Sequence, residues 1–473
     1  MRGRALATGG LEAVLTPEIT GAAARAFLDY AETDLGVKVK RLSVGHDSRL
    51  TAQNLKAGIL SALNTRPITV LDCGLMTTPA MFMTTKFPET DCDAAIMITA
   101  SHMPFDMNGL KFFTRSGGLE GKDIAKILDN AQRIGECGVL TAAPHSKLHT
   151  PNLIKVDGLK YYKNFLKNKF ITETGSKKPF AGRKIAVDAG NGAGGFYARV
   201  LKELGADVSN SQYLEPDGNF PNHIPNPEDA EAMRAARGMM KKSGAEAGVI
   251  FDADADRAGL LGRNGDINRS TLIALCAKLL AKEQPGCTVV TDSVTNRSLT
   301  PYMEALGVKH HRFKRGYKNV IDEAVRLRST GVNAVLAIET SGHAAFYDNS
   351  FLDDGAYLAS YILIRAAKLG KSLDELTADF TPPLEEKEIR LPIKEPDFRA
   401  AGEAVLKRIE AEARVRNWEF VSGFEGVRFI SPDACLTARL SLHEPLLVLN
   451  YESDAAGGCS VMHGIIEQLT IYS

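Results

Sequence analysis

Short apolar runs alternate with helical-period segments along the first third of the chain. Residues 37–44, 68–75 and 94–99 have the unbroken apolar character of buried strands, and 52–64 repeats its apolar positions as a helix does. This alternation predicts an α/β layer structure. A second such unit follows: a helix over 153–168, a strand over 184–188, the glycine-rich turn A-G-N-G-A-G-G at 189–195, a helix over 196–204 and an apolar run at 249–251. A third has a helix at 270–282, strands at 288–292 and 334–338, and an apolar helix at 356–369. After the Pro-containing stretch 381–387 the pattern changes to one amphipathic helix, 397–413, among strands that include 446–451. The expected division is therefore 1–145, 146–265 and 266–380 as α/β domains, and 381–473 as a smaller α+β domain.

The most informative stretch is 248–262, G-V-I-F-D-A-D-A-D-R-A-G-L-L-G, with Asp252, Asp254 and Asp256 on alternate residues. In an extended chain these carboxylates would leave one side, spread over roughly 13 Å at ~3.3 Å per residue. Like charges so close need a positive partner. A hard cation such as Mg2+, which takes oxygen ligands and shares its shell with phosphate, meets that need. Arg257 would then sit beside whatever anion the metal holds. The apolar lead-in distinguishes this stretch from an acidic surface turn.

Composition narrows the partner. Lys+Arg and Asp+Glu both number 57 in 473 residues, so no basic excess favours nucleic acid or an anionic membrane, and a small molecule is expected. The seven cysteines are scattered without C-x-x-C spacing, against both a disulfide framework and a zinc site. Reducing, cytoplasmic conditions fit. No apolar run is long enough to span a bilayer, and the start M-R-G-R-A-L-A-T-G-G lacks a signal-peptide core, while a plastid form with its transit peptide removed stays compatible.

Several loops offer chemistry. Residues 99–111, T-A-S-H-M-P-F-D-M-N-G-L-K, follow an apolar strand and carry Ser101 as a candidate nucleophile, His102 beside it, and Lys111 to neutralise an anion or move a proton. Adjacent residues point differently, so Ser101 and His102 do not suggest a hydrolase pair. V-G-H-D-S-R at 44–49 reads equally as a plain polar turn. The glycine-rich turn at 189–195 lacks the G-x-G-x-x-G spacing of a dinucleotide site. Glu339, Ser341 and His343, in E-T-S-G-H at the end of a strand, suit a polyol. Arg439, Ser441 and His443, in A-R-L-S-L-H-E-P, are donors suited to phosphate.

Taken in order, T-A-S-H-x-P…N-G-L-K, D-A-D-A-D-R, G-Y-K, E-T-S-G-H and R-x-S-x-x-E-P resemble the α-D-phosphohexomutases, in particular the phosphomannomutase/phosphoglucomutase group. The resemblance implies four domains around a central cleft: three related α/β domains with mixed sheets and a smaller C-terminal α+β domain. It implies interconversion of hexose 1-phosphate and hexose 6-phosphate, of mannose or glucose, through a phosphoserine and a hexose 1,6-bisphosphate that also serves as activator. Ser101 would carry the phosphoryl group and share Mg2+ with Asp252, Asp254 and Asp256. Lys111 and His343 would move protons, and Glu339 and Ser341 would hold sugar hydroxyls. Arg439, Ser441 and His443 would bind the phosphate not in transfer, assisted by Lys318 and Arg257. The partners implied are hexose phosphates, with no nucleic acid or membrane, for a monomer or homodimer. A phosphoglucosamine mutase and a catalytically weak sugar-phosphate-binding regulator of the same fold are the alternatives. The chain departs from the family pattern at Met103, Ala253, Ala255, Ile338, Leu440, Leu442, His443 and Val448, and keeps only Arg2 and Gly3 of the usual N-terminal loop.

Overall fold

The computed structural model describes residues 1–64, 66–136, 152–421, 425–441 and 444–470. His443 and Leu442, expected in a phosphate loop, and Cys137 lie outside them. The chain forms three α/β domains with mixed sheets and a β-rich C-terminal domain, gathered into two compact units. One unit holds Met1–Ile267 with Ser341–Ala344 and Leu352–Glu375; the other holds Asn268–Thr340, Ala345–Phe351 and Leu376–Ser473. No helix among the described residues is long and apolar enough to cross a membrane.

In the first unit, the strand Arg41–His46 lies parallel to both Thr69–Leu75 and Ala94–Ile98. All five residues of Ala94–Ile98 are buried, which is why the segment reads as an unbroken apolar run and not as an alternation. Met107–Thr114 returns antiparallel beside it and sets Lys111 opposite Met97. The residues between these two strands thus form a loop at the end of the sheet, and this loop carries Ser101. Residues 153–155 were expected to open a helix. They lie instead in the strand Asn152–Lys155, parallel to Thr69–Leu75, and the helix spans Gly158–Thr174. Asp157 explains that start, its carboxylate accepting from the Lys160 amide at 3.1 Å as an N-cap.

The second sheet of this unit pairs Ile185–Asp188 in parallel with Ala247–Phe251, then Ala247–Phe251 antiparallel with Ala258–Leu261. Phe251 stands opposite Ala258, so residues 252–257 must reverse the chain. In the other unit, Thr288–Thr291 lies parallel to Lys309–Arg312 and to Ala334–Ile338. The C-terminal domain is an antiparallel sheet in the order Glu385–Pro392, Leu446–Ser453, Ala434–Leu440, Val427–Ile430, Glu419–Val421. The helices Phe398–Val415 and Gly458–Thr470 contribute Val405, Ile409, Met462 and Ile466 to its core.

Candidate active site

The three aspartates do converge, by a route other than extended alternation. Residues 252–257 form a tight return in which the Ala255 amide donates to the Asp252 carbonyl at 3.2 Å and Ala255 takes a left-handed φ of 54°. The turn folds a stretch that would measure about 13 Å if extended so that one ligand atom from each carboxylate lies within 4.8 Å of the others. The sequence reading assumed a period of 2, whereas the antiparallel return to Ala258 imposes the turn.

Each carboxylate has its own company. Asp252 accepts from the Ser101 hydroxyl at 2.9 Å and from the Arg257 guanidinium at 3.2 Å. Lys111 donates to Asp254 at 2.8 Å and to Asp256 at 2.6 Å. Thr78 also donates from its hydroxyl to the Asp254 carboxylate, and from its amide to the Asp254 main-chain carbonyl at 2.9 Å. Arg257 is buried and spans Asp252 and Asn226, so its guanidinium braces the turn. Burial and the neighbouring Asp256 and Asp254 push the Asp252 carboxyl well above its usual range. Burial also disfavours ionised Asp254 and Asp256, yet Lys111 outweighs it and holds both below the usual carboxylate range.

These residues fit a hard cation. The donor set is all oxygen, and one oxygen each of Asp254 and Asp256 is buried without a hydrogen-bond partner, a cost of order 1–3 kcal/mol per group that an ion would remove.

Ser101 is buried and holds a left-handed φ of 57°. That conformation brings its Oγ to 3.2 Å from His102 Nδ1, so the adjacent pair does meet, contrary to the expectation from the sequence. Burial and Arg257 depress the His102 pKa to about 3, which leaves the ring neutral. The loop is held from behind by Arg49. Its guanidinium, buried like the rest of the residue, donates to the carbonyls of Ser101, Met103, Pro104 and Met107 at 2.5–2.7 Å and lies 3.4 Å from Asp47. Asp47 accepts from the Thr99 hydroxyl at 2.6 Å, and the Ser101 amide donates to the same hydroxyl at 2.8 Å. The V-G-H-D-S-R string is thus the scaffold of the Ser101 loop. Neither Arg49 nor Asp47 was singled out from the sequence, because a clamp on main-chain carbonyls has no motif of its own.

His343 Nδ1 lies 2.5 Å from Asp353 and 3.9 Å from Asp256. Burial opposes its charge, but Asp353 and Asp256 prevail and raise its pKa to about 9. Asp353, in the D-D-G string read as a helix start, is a third residue whose part was missed. Ser341 is buried in the same unit.

In the other unit, Glu339 accepts from the Gly316 amide at 2.6 Å. Lys318 pairs with Asp322 one turn along its own helix at 2.6 Å. Arg439 is buried with its Nε unpartnered, and burial together with the charge of Arg315 lowers its pKa. Arg315, from the same F-K-R-G-Y-K string as Lys318, is therefore the cation whose charge is felt at Arg439. Glu425 accepts from the Arg315 amide at 3.0 Å and from the Ser293 hydroxyl, and the Glu444 amide donates to the Ser441 hydroxyl at 3.4 Å.

The chain matches the family models for phosphoglucomutase/phosphomannomutase alpha/beta/alpha domains I, II and III over residues 1–136, 160–265 and 268–384. It is 31% identical to a phosphoglucomutase of Neisseria gonorrhoeae, over 88% of this chain and 85% of that protein. A phosphomannomutase/phosphoglucomutase of Pseudomonas putida is 29% identical over 88% of this chain and 84% of its own. The crystal structure of a phosphoglucomutase/phosphomannomutase family protein from Burkholderia thailandensis superposes with a TM-score of 0.79 at 25% identity, covering 99% of this chain and 95% of that one. With the Ser101 loop set against an acidic turn that fits a hard cation, and with these likenesses running through all three α/β domains, the chain belongs to the α-D-phosphohexomutase family, in its phosphoglucomutase/phosphomannomutase group.

Proposed function

We propose that this chain interconverts the 1-phosphate and 6-phosphate of glucose and mannose, with Ser101 as the phosphoryl carrier. The observation that supports it best is the Ser101 hydroxyl at 2.9 Å from Asp252, beside a carboxylate cluster that Lys111 spans. Phosphoryl transfer depends on in-line positioning and charge neutralisation more than on covalent subtlety, and these residues are suited to both. A Mg2+ ion held by Asp252, Asp254, Asp256 and a phosphoserine oxygen would neutralise charge on the group in transfer.

In the first half-reaction the bond between phosphorus and Ser101 Oγ breaks as a sugar hydroxyl oxygen bonds to phosphorus. Lys111 or His343, once it has given up its own proton to solvent, takes the hydroxyl proton, the departing Ser101 Oγ takes up a proton from solvent, and the sugar becomes a hexose 1,6-bisphosphate. After this intermediate turns round, its other phosphate returns to Ser101, which gives the bisphosphate its role as activator. Arg49 keeps the loop carbonyls in place, and neutral His102 adds no charge beside Oγ. Glu339 and Ser341 are assigned to sugar hydroxyls. Arg439, Ser441 and His443 are assigned to the phosphate not in transfer, with Lys318 and Arg257 assisting.

A coupled assay with glucose 1-phosphate, mannose 1-phosphate and glucosamine 1-phosphate, each primed with the matching bisphosphate, tests this reading. Turnover of the first two is expected. Turnover of the glucosamine compound alone would replace the reading with an aminosugar mutase, and no turnover of any would refute catalysis.

A further inference from the structure

The glycine-rich turn at 189–195 has no part in the chemistry above, yet it borders a cavity of about 680 Å³. Small-molecule sites commonly measure about 300–1,000 Å³. One wall is the end of the strand Thr69–Leu75 with Lys56 behind it; another is the start of the helix Gly158–Thr174; the third is the turn and the start of the helix Phe196–Glu203. All three belong to the first unit.

The lining is basic, with Lys56, Lys155, Lys163 and Arg199 against Asp72 and Asp157. Both carboxylates are already engaged. Asp72 takes Lys56 at 2.8 Å and the Gly74 amide at 3.1 Å, and Asp157 caps its helix. The side chains of Lys155, Lys163 and Arg199 make no hydrogen bond or ion pair with the described residues. Three unpaired cations around one concavity, over a floor that includes Phe196 and Leu214, are arranged for an anion with some apolar body.

Two of the walls reach the acidic turn. Just beyond Leu75, Thr78 donates to Asp254 from side chain and main chain. From the glycine-rich turn, the Ala193 amide donates to the Ala253 carbonyl at 2.7 Å, and a Cβ at Gly192 would lie 2.6 Å from that carbonyl oxygen. Glycine is required there because two main chains touch. An occupant that draws these walls together acts on the turn that holds Asp252, Asp254 and Asp256.

We propose that this cavity is a second anion site, separate from the catalytic serine, that takes a small multiply charged phosphate or polycarboxylate and modulates the acidic turn.

The test uses the full chain with inorganic pyrophosphate and citrate as probes, saturating glucose 1-phosphate being present to fill the catalytic site. Binding is read by protection of Lys155 and Lys163 from amine acylation, and modulation by the free Mg2+ concentration that gives half-maximal activity, held by a metal buffer because both probes chelate Mg2+. Either probe is expected to protect both lysines and to shift that concentration. The Lys163→Gln/Arg199→Gln variant is expected to bind about tenfold or more weakly, since a hydrogen bond to a charged group commonly exceeds one such factor, and to keep its activity without probe. Arg199 is exposed and Lys163 half-buried, so an unchanged melting temperature in the variant shows that the fold is retained. Lys155→Gln, at another exposed residue, gives a second reading of the same loss. Protection by citrate and pyrophosphate alike points to charge alone, and protection by pyrophosphate alone to phosphate. No protection under saturating sugar phosphate, or equal protection in the variants, refutes the site. Protection without a shift in Mg2+ dependence refutes the modulation.

Discussion

Arg49→Met is the most informative single perturbation of the Ser101 loop. Methionine keeps length and apolar bulk but removes four donations, to the carbonyls of Ser101, Met103, Pro104 and Met107. It also removes the cation 3.4 Å from buried Asp47. Leaving one member of a buried ion pair uncompensated costs about 3–5 kcal/mol, and rehydration of the loop carbonyls keeps the total near that figure. Part of the loss concerns Ser101 directly. Its left-handed φ of 57° stores about 1–3 kcal/mol that only the surrounding structure holds in place. Without the clamp the loop relaxes away from that conformation, and a misplacement of about 1 Å costs roughly 100-fold in rate. The expected result is a denaturation midpoint lowered by the equivalent of about 3–5 kcal/mol, faster amide exchange at 99–107, and kcat down about 100-fold with KM little changed. Arg49→Lys keeps the charge but not the planar fork and should fall between. An Arg49→Met protein with wild-type kcat and unchanged exchange in the loop would refute the clamp.

Further outcomes follow from the same geometry. Ser101→Ala should fold and lack both turnover and the phosphate that intact-mass measurement finds on wild type and a sugar phosphate removes. Asp254→Asn should cost about 2.7–4 kcal/mol of transition-state stabilisation, seen as lower kcat and a higher Mg2+ requirement. Since Asp252 holds its proton above the usual range, Mg2+ binding should release protons and tighten as pH rises, which calorimetry in buffers of different ionisation enthalpy detects. His343 has its pKa raised from 6.5 to about 9, so in chelator-treated protein its stabilisation, of order 3 kcal/mol, is complete below pH ~6.5 and lost as pH climbs through about 9. Asp353→Asn should flatten that part of the urea-midpoint profile, and an unchanged profile would sink the pairing.

What could be read from the sequence divides along physical lines. Buried parallel strands such as Ala94–Ile98 and Ala334–Ile338 were visible because both faces are covered and every residue is apolar. The acidic triad was visible as composition, but its geometry was not. The turn at 252–257 follows from the pairing of Phe251 with Ala258, a partner choice that periodicity does not encode. Residues 153–155 failed for a related reason: four residues of edge strand, Asn152–Lys155, carry too short a pattern to separate from the helix that follows. Arg49 and Asp353 act on carbonyls and on an imidazole brought near only by the tertiary fold, so no local spacing marks them.

The charges at the acidic turn show why Lys111 can serve two purposes. Three buried carboxylates need positive neighbours, and the chain provides Arg257 to Asp252, Lys111 to Asp254 and Asp256, and charged His343 at 3.9 Å from Asp256. These cations are not equivalent. Arg257 is buried with its main-chain amide also tied to Asp252, so it cannot leave the turn without breaking it. Lys111 reaches in from a strand on a flexible stem and keeps 17% of its side chain exposed. Its attraction to Asp254 and Asp256 is strongest when no other charge satisfies them. Once a hard cation neutralises those carboxylates, the ammonium has less to gain by staying, and the same stem lets it turn to a phosphate oxygen or a sugar hydroxyl. The proton-transfer role proposed for Lys111 and its contacts with Asp254 and Asp256 are then two states of one residue, set by whether another charge is present.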